Sequence, residues 1–168
     1  MTDAALQSIA AAYGTPTFVF DADALQARVR AIEEIFGPDI ALCYSIKANP
    51  FLLHAMSSVT ARLEVCSPGE LEICRQQGVS PDMVLFSGVN KTKADVERAM
   101  DLGVTRFTCE SPLHVRLIDE AARSRGRGYP VLLRLTAVLR TLNRPRITTH
   151  STPIIAISRP HSSEIVAN

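Results

Sequence analysis

Short apolar runs recur along this chain, and each is followed by a segment whose apolar residues fall three and four apart. The runs end near residues 46, 66, 86, 108 and 135, with helical spacing starting close behind the first four. Strand, turn, helix and strand in that order predict βαβ units and a parallel sheet. Right-handed crossovers would make successive strands curl in one direction. This periodicity suits a doubly wound open sheet as well as a barrel.

Helix boundaries are legible in the turn residues. Residues 4–13 are alanine-rich and end at Gly14, and Thr15-Pro16 then leads into a short strand, Thr17-Phe18-Val19-Phe20. Asp21 caps a helix with Leu25, Val29, Ile32 and Phe36 on one face, and Gly37-Pro38 stops it. Ser67-Pro68-Gly69-Glu70 predicts a full capping box, with serine at N-cap, proline at N1 and glutamate at N3. Thr92-Lys93-Ala94-Asp95 imitates it with aspartate, and Ser111-Pro112 supplies a third helix start.

Length changes the picture. A complete eight-fold barrel typically takes about 250 residues, whereas this chain has 168. A barrel would therefore be present only in part. Hydrophobic content of 46% is that of a globular protein, and no run approaches the roughly 18 apolar residues of a membrane span. The start, Met1-Thr2-Asp3-Ala4-Ala5, carries an acid and no basic cluster, unlike a secretory or transit signal. The expected location is the cytoplasm.

The four cysteines, 43, 66, 74 and 109, show neither a close pair nor zinc spacing, and are expected to be reduced core residues. No metal site is expected. The net charge of +1 hides an asymmetry. Residues 1–137 hold 14 basic against 16 acidic side chains, and residues 138–168 hold four arginines against one glutamate. This pattern marks a boundary rather than a nucleic-acid surface.

Candidate chemistry centres on Ala41-Leu42-Cys43-Tyr44-Ser45-Ile46-Lys47-Ala48-Asn49-Pro50. The first six residues read as a strand, and Lys47 stands where it stops. Active sites of strand–helix barrels are built at the C-terminal strand ends. By itself, a lysine there is more often a solvated surface residue. Arg134 places a charge at the end of another apolar strand, where burial would require a partner. Asn90 and Lys91 read as a turn with a solvated lysine, and His54 and His114 as surface or interhelical residues.

Tyr44-Ser45-Ile46-Lys47-Ala48-Asn49 resembles the Tyr-x-x-Lys-Ala-Asn segment of the fold-type III pyridoxal-phosphate decarboxylases, the ornithine, diaminopimelate and arginine decarboxylase group, and is most like the diaminopimelate type. Further segments follow in the same register. Leu63-Glu64-Val65-Cys66-Ser67-Pro68-Gly69-Glu70 is similar to the family's second strand, although Glu64 stands where aspartate is usual. Phe86-Ser87-Gly88-Val89-Asn90-Lys91, Cys109-Glu110-Ser111 and Val131-Leu132-Leu133-Arg134-Leu135 resemble the third, fourth and fifth.

The resemblance implies an α/β fold, a partial TIM (β/α)8 barrel of the alanine racemase-like type with about five of eight strands. It implies pyridoxal 5'-phosphate as cofactor, held as an imine by the catalytic Lys47, with Glu64 and Arg134 on the cofactor side. It further implies a small amino-acid substrate, and a homodimer in the complete enzyme. An amino-acid racemase of the same fold and an inactive fragment are the alternatives.

Residues 1–137 are expected to form the barrel part. Residues 138–168 lack glycine and sustained periodicity, and read as an atypical tail, disordered or the product of a shifted reading frame. The family's ring-stacking histidine, phosphate-cradling glycine loop and glutamate on the pyridine nitrogen are not recognisable there.

Overall fold

The structure, a computed structural model, describes residues 1–134 and the backbone of Val166 and Ala167. Two helices precede the sheet, α1 (Asp3–Tyr13) and α2 (Ala22–Phe36). The Asp21 carboxylate accepts the Ala24 N–H at 3.0 Å and starts the second. Gly37 ends it at φ +80°, a conformation in which a Cβ would be strained.

The sheet then alternates with helices: β1 (Cys43–Ser45), α3 (Leu53–Ser57), β2 (Arg62–Val65), α4 (Pro68–Gln76), β3 (Val84–Phe86), α5 (Lys93–Asp101), β4 (Arg106–Cys109), α6 (Pro112–Ser124) and β5 (Tyr129–Leu133). These five strands are parallel and lie side by side in chain order. A short β6 (Val166–Ala167) runs antiparallel along β5, with Ala167 opposite Tyr129.

Strand order decides between the two architectures that the periodicity left open. A doubly wound sheet reverses direction at a switch point, which puts helices on both faces. Here the order never reverses among the parallel strands, so right-handed crossovers carry the helices to one face. The fold is α/β, five strands of a singly wound barrel.

Alternation along each strand separates two surfaces. Leu63, Val65, Val84, Phe86, Phe107, Cys109, Tyr129 and Val131 are buried. They form one core with Leu71, Val96, Ala99, Ile118 and Ala122 from the helices. The Phe107 ring meets Phe86 and Tyr129 edge-on, with centroids 6.1 and 6.0 Å apart. Burying such a ring contributes about 1.5–3 kcal/mol. Arg62, Glu64, Leu85, Arg106, Thr108 and Leu132 alternate with the core residues and lie on the opposite face, the inner face of a barrel.

Two expected elements differ. Thr17–Phe20 forms no strand: it has no pairing partner among the described residues, and Phe18 is fully exposed. The first barrel strand is also shorter than its apolar run. Only Cys43–Ser45 pairs with β2, and Ile46–Ala48 already turns as a 3-10 helix. The expected boundary at residue 137 and the tail, residues 138–168, lie outside the described residues apart from the β6 backbone.

Candidate active site

Parallel register sets the site. Ser45 lies opposite Glu64, and Glu64 opposite Leu85. Lys47 and Cys66 each stand two residues beyond the Ser45–Glu64 pair, at the C-terminal ends of β1 and β2. The Lys47 amine is exposed and lies 3.9 Å from the Cys66 sulfur. The motif around the lysine has a local structural reason. Tyr44 donates its hydroxyl to the Asn49 carbonyl at 3.0 Å, and the Asn49 side chain accepts the Phe51 N–H at 3.1 Å. Tyrosine and asparagine thus close the turn that carries the lysine.

At the end of β2, the Ser67 hydroxyl accepts the Glu70 N–H at 3.2 Å, but the return bond differs from the expected box. The Glu70 carboxylate accepts the N–H of Cys66 at 2.7 Å, one residue ahead of the cap. The full reciprocal box forms instead at Thr92 and Asp95. Backbone approach is tightest where β2 meets the turn after β3. Gly88 adopts φ +113°, and a Cβ there would lie 2.4 Å from the Cys66 carbonyl oxygen.

That turn holds a residue the sequence reading placed in solvent. Lys91 is 5% exposed. Its amine donates to the Gly88 carbonyl at 2.6 Å and to the Thr108 hydroxyl at 3.5 Å, and Thr108 donates to Ser87 at 3.1 Å. Burial pulls the Lys91 pKa below the ordinary lysine value, against the pull of Glu110, Cys109, Cys66 and Glu64.

Beyond β4, the Glu110 carboxylate accepts from the Arg134 guanidinium at 3.2 Å. Arg134 therefore has the partner that its position demanded, and its own N–H is held by the Cys109 carbonyl at 2.9 Å. His114 is buried rather than on the surface, and its Nδ1 accepts the Glu110 N–H at 3.3 Å. Burial, then the Lys91 charge, lowers its pKa.

Ser45 and Glu64 thus lie opposite each other, and Lys47 stands just past the end of β1, beside Cys66. Arg134 stands at the same strand ends, three strands away from Glu64. Sequence reasoning overlooked the burial of Lys91, because its amine meets Thr108 only through the pairing of β3 with β4, and that of His114, although its bond to Glu110 is local. It also assigned all four cysteines to the core. Cys74 and Cys109 are buried, but Cys43 is exposed and Cys66 half-buried on the inner face. Among the described residues no helix is long and apolar enough to cross a membrane, and no cluster has metal-ligand geometry.

Comparison with known proteins identifies the family. Residues 22–152 match the family described as the pyridoxal-dependent decarboxylase, pyridoxal binding domain, and the chain belongs to that family. Diaminopimelate decarboxylase of Pseudomonas aeruginosa is 34% identical over 148 residues, 86% of this chain and 36% of that protein. The chain spans about a third of the length of such relatives. A crystal structure from Aquifex aeolicus superposes with a TM-score of 0.65 at 28% identity, covering 77% of this chain and 32% of the other. The fold also matches diaminopimelate decarboxylase from M. jannaschii, solved with L-lysine, with a TM-score of 0.62 at 24% identity, over 78% of this chain and 32% of that one.

The residues present fit a pyridoxal group at its aldehyde end. An accessible primary amine, Lys47, has no carboxylate within ion-pair distance among the described residues. Two residues before it, the Ser45 hydroxyl is buried without a hydrogen-bond partner among the described residues. A buried hydroxyl left unpaired is disfavoured, so a polar group at this face would satisfy it.

Proposed function

We propose that this chain is the cofactor-bearing part of a pyridoxal-phosphate-dependent decarboxylase acting on a basic or dibasic amino acid of the diaminopimelate or ornithine type. One observation carries the reading: an exposed lysine amine just past the C-terminal end of the first barrel strand, two residues beyond the Ser45–Glu64 pair. Lys47 would hold the cofactor through Nζ, with Glu64 and Arg134 on the cofactor side. When bound, pyridoxal phosphate supplies an electron sink for the charge left on the α-carbon as carbon dioxide departs.

The chain's own residues do the rest. Lys47 must shed a proton to act as a nucleophile, and its freed amine can return one as product forms. Tyr44 and Asn49 keep its turn closed. Glu110 orients the Arg134 guanidinium, and Lys91 ties the turn after β3 to Thr108 on β4. In this reading residues 1–137 are the barrel part and 138–168 an atypical tail. The complete enzyme is a homodimer, as the family resemblance implies, and its expected location is the cytoplasm.

The test is an absorbance spectrum of the chain after incubation with pyridoxal phosphate and desalting, with Lys47→Ala in parallel. A cofactor band retained by the parent and lost in the variant is the expected result. Carbon dioxide release from diaminopimelate, ornithine, lysine and arginine then names the substrate. No retained band, or equal retention by the variant, would overturn the reading in favour of a fragment without catalysis.

A further inference from the structure

The cysteine beside Lys47 has a position that the cofactor chemistry does not use. The Cys66 sulfur lies 3.9 Å from the Lys47 amine. The proximity is built into the backbone, since both residues stand two positions past the paired Ser45 and Glu64, just beyond the ends of adjacent strands. Cys66 is also pinned on both sides. Its N–H is held by the Glu70 carboxylate at 2.7 Å, and its carbonyl packs against Gly88 so closely that no Cβ fits between them. The thiol stays in place while the exposed Lys47 stem is free to close the remaining distance.

We propose that Cys66 and Lys47 form a covalent modification site, in which hydrogen peroxide joins Sγ to Nζ as a sulfenamide. In the first step the Cys66 thiolate attacks peroxide; an S–O bond forms, the O–O bond breaks, and hydroxide leaves to take up a proton as water. Sulfur is oxidised by two electrons and peroxide is reduced. In the second, the neutral Lys47 amine attacks that sulfur; an N–S bond forms, the S–O bond breaks, and a second water carries away the amine proton. An excess of small thiol attacks the sulfur and releases the amine again.

Other partners for the sulfur are poorly placed. Cys74 and Cys109 are buried on the helix side of the sheet. Cys43 pairs with Arg62, four residues before Cys66, which puts it on the order of 10 Å away along the strand. Burial, and the carboxylates of Glu64 on β2, Glu70 on α4 and Glu110 beyond β4, push the thiol pKa up, while Lys47 pulls it down. The reaction therefore quickens as pH rises from neutrality.

If Lys47 holds the cofactor as proposed above, this link and the cofactor compete for one amine. The experiment treats the full chain with hydrogen peroxide, digests it with trypsin and sequences the peptides by mass spectrometry. The expected product joins the Lys47 and Cys66 peptides with the loss of two hydrogens. It is absent from Cys66→Ser and Lys47→Arg, and dithiothreitol reverses it. Cys66 found unmodified, as an unlinked sulfenic or sulfinic acid, or in a disulfide would overturn the proposal. Thermal unfolding of both variants checks that they are folded. A parallel sample preloaded with pyridoxal phosphate should lose the link. A link that forms regardless of a cofactor that is never retained would leave this inference standing and remove the cofactor reading.

Discussion

Lys91 donates to the carbonyl of Gly88 at 2.6 Å from a side chain only 5% exposed, tying the turn after β3 to the neighbouring strand through Thr108. Lys91→Met leaves both acceptors without their donor and should destabilise the chain by about 1–3 kcal/mol. Urea unfolding measures this. The pH dependence has a definite sign. Burial lowers the folded pKa, so the unfolded chain binds more protons between that value and the ordinary one. The parent should gain stability as pH rises through this window towards about 10.4, and lose it again as pH falls. Lys91→Met lacks that gain, so the gap between the two should widen with pH; a constant gap would show that the amine titrates normally.

Gly88 and Gly69 make a contrasting pair. Gly88→Ala forces a methyl group into the Cys66 carbonyl at a backbone angle that only glycine adopts easily, and should lower stability by about 2 kcal/mol or more. At Gly69, within α4, the nearest atom to an added Cβ is the Ser67 hydroxyl at 3.9 Å. Gly69→Ala should be neutral or stabilising by up to about 1 kcal/mol. Denaturant midpoints of the two variants compare them directly, and similar losses would contradict the close approach at Gly88.

Glu72 joins two helices. Its carboxylate accepts from Arg75 on its own helix at 2.6 Å and from Arg98 on α5 at 2.9 Å. The hydrogen bond from Arg75, with further ones from Gln76 and Arg98, holds its pKa down to about 2. A carboxylate depressed in this way contributes stability above its unfolded value of about 4.3, which is lost as pH falls towards the folded one. Glu72→Gln should flatten that acid limb in thermal melts between neutral pH and acid. An unchanged limb would mean that the network does not persist in solution.

Arg134 depends on Glu110, whose oxygen it meets at 3.2 Å. If the guanidinium serves the cofactor side, Glu110→Gln should weaken pyridoxal phosphate binding about tenfold, equivalent to about 1.4 kcal/mol. Cofactor fluorescence titration reads this, and Arg134→Lys should show a similar loss because the planar fork is gone. Unchanged affinity in both variants would take Arg134 out of the cofactor site.

Local chemistry along the chain determined the repeating elements, the helix starts and the family. Ser67, Thr92 and Ser111 cap helices through hydroxyls that accept N–H groups three residues on, an interaction contained within four residues of sequence. The lysine motif was legible for the same reason, since Tyr44 and Asn49 close their turn locally. Tertiary structure decided what depends on neighbours distant in sequence. Thr17–Phe20 has strand-forming residues but no strand beside it among those described, and a strand exists only through its pairing. Strand order chose the barrel over the doubly wound sheet, because periodicity fixes neither direction nor neighbours. Lys91 looks solvated in its turn, yet Thr108 on the adjacent strand β4 gives its amine a partner and lets it be buried. Cys66 reads as a small core residue, and only the alternation of β2 beside β1 turns its sulfur towards Lys47.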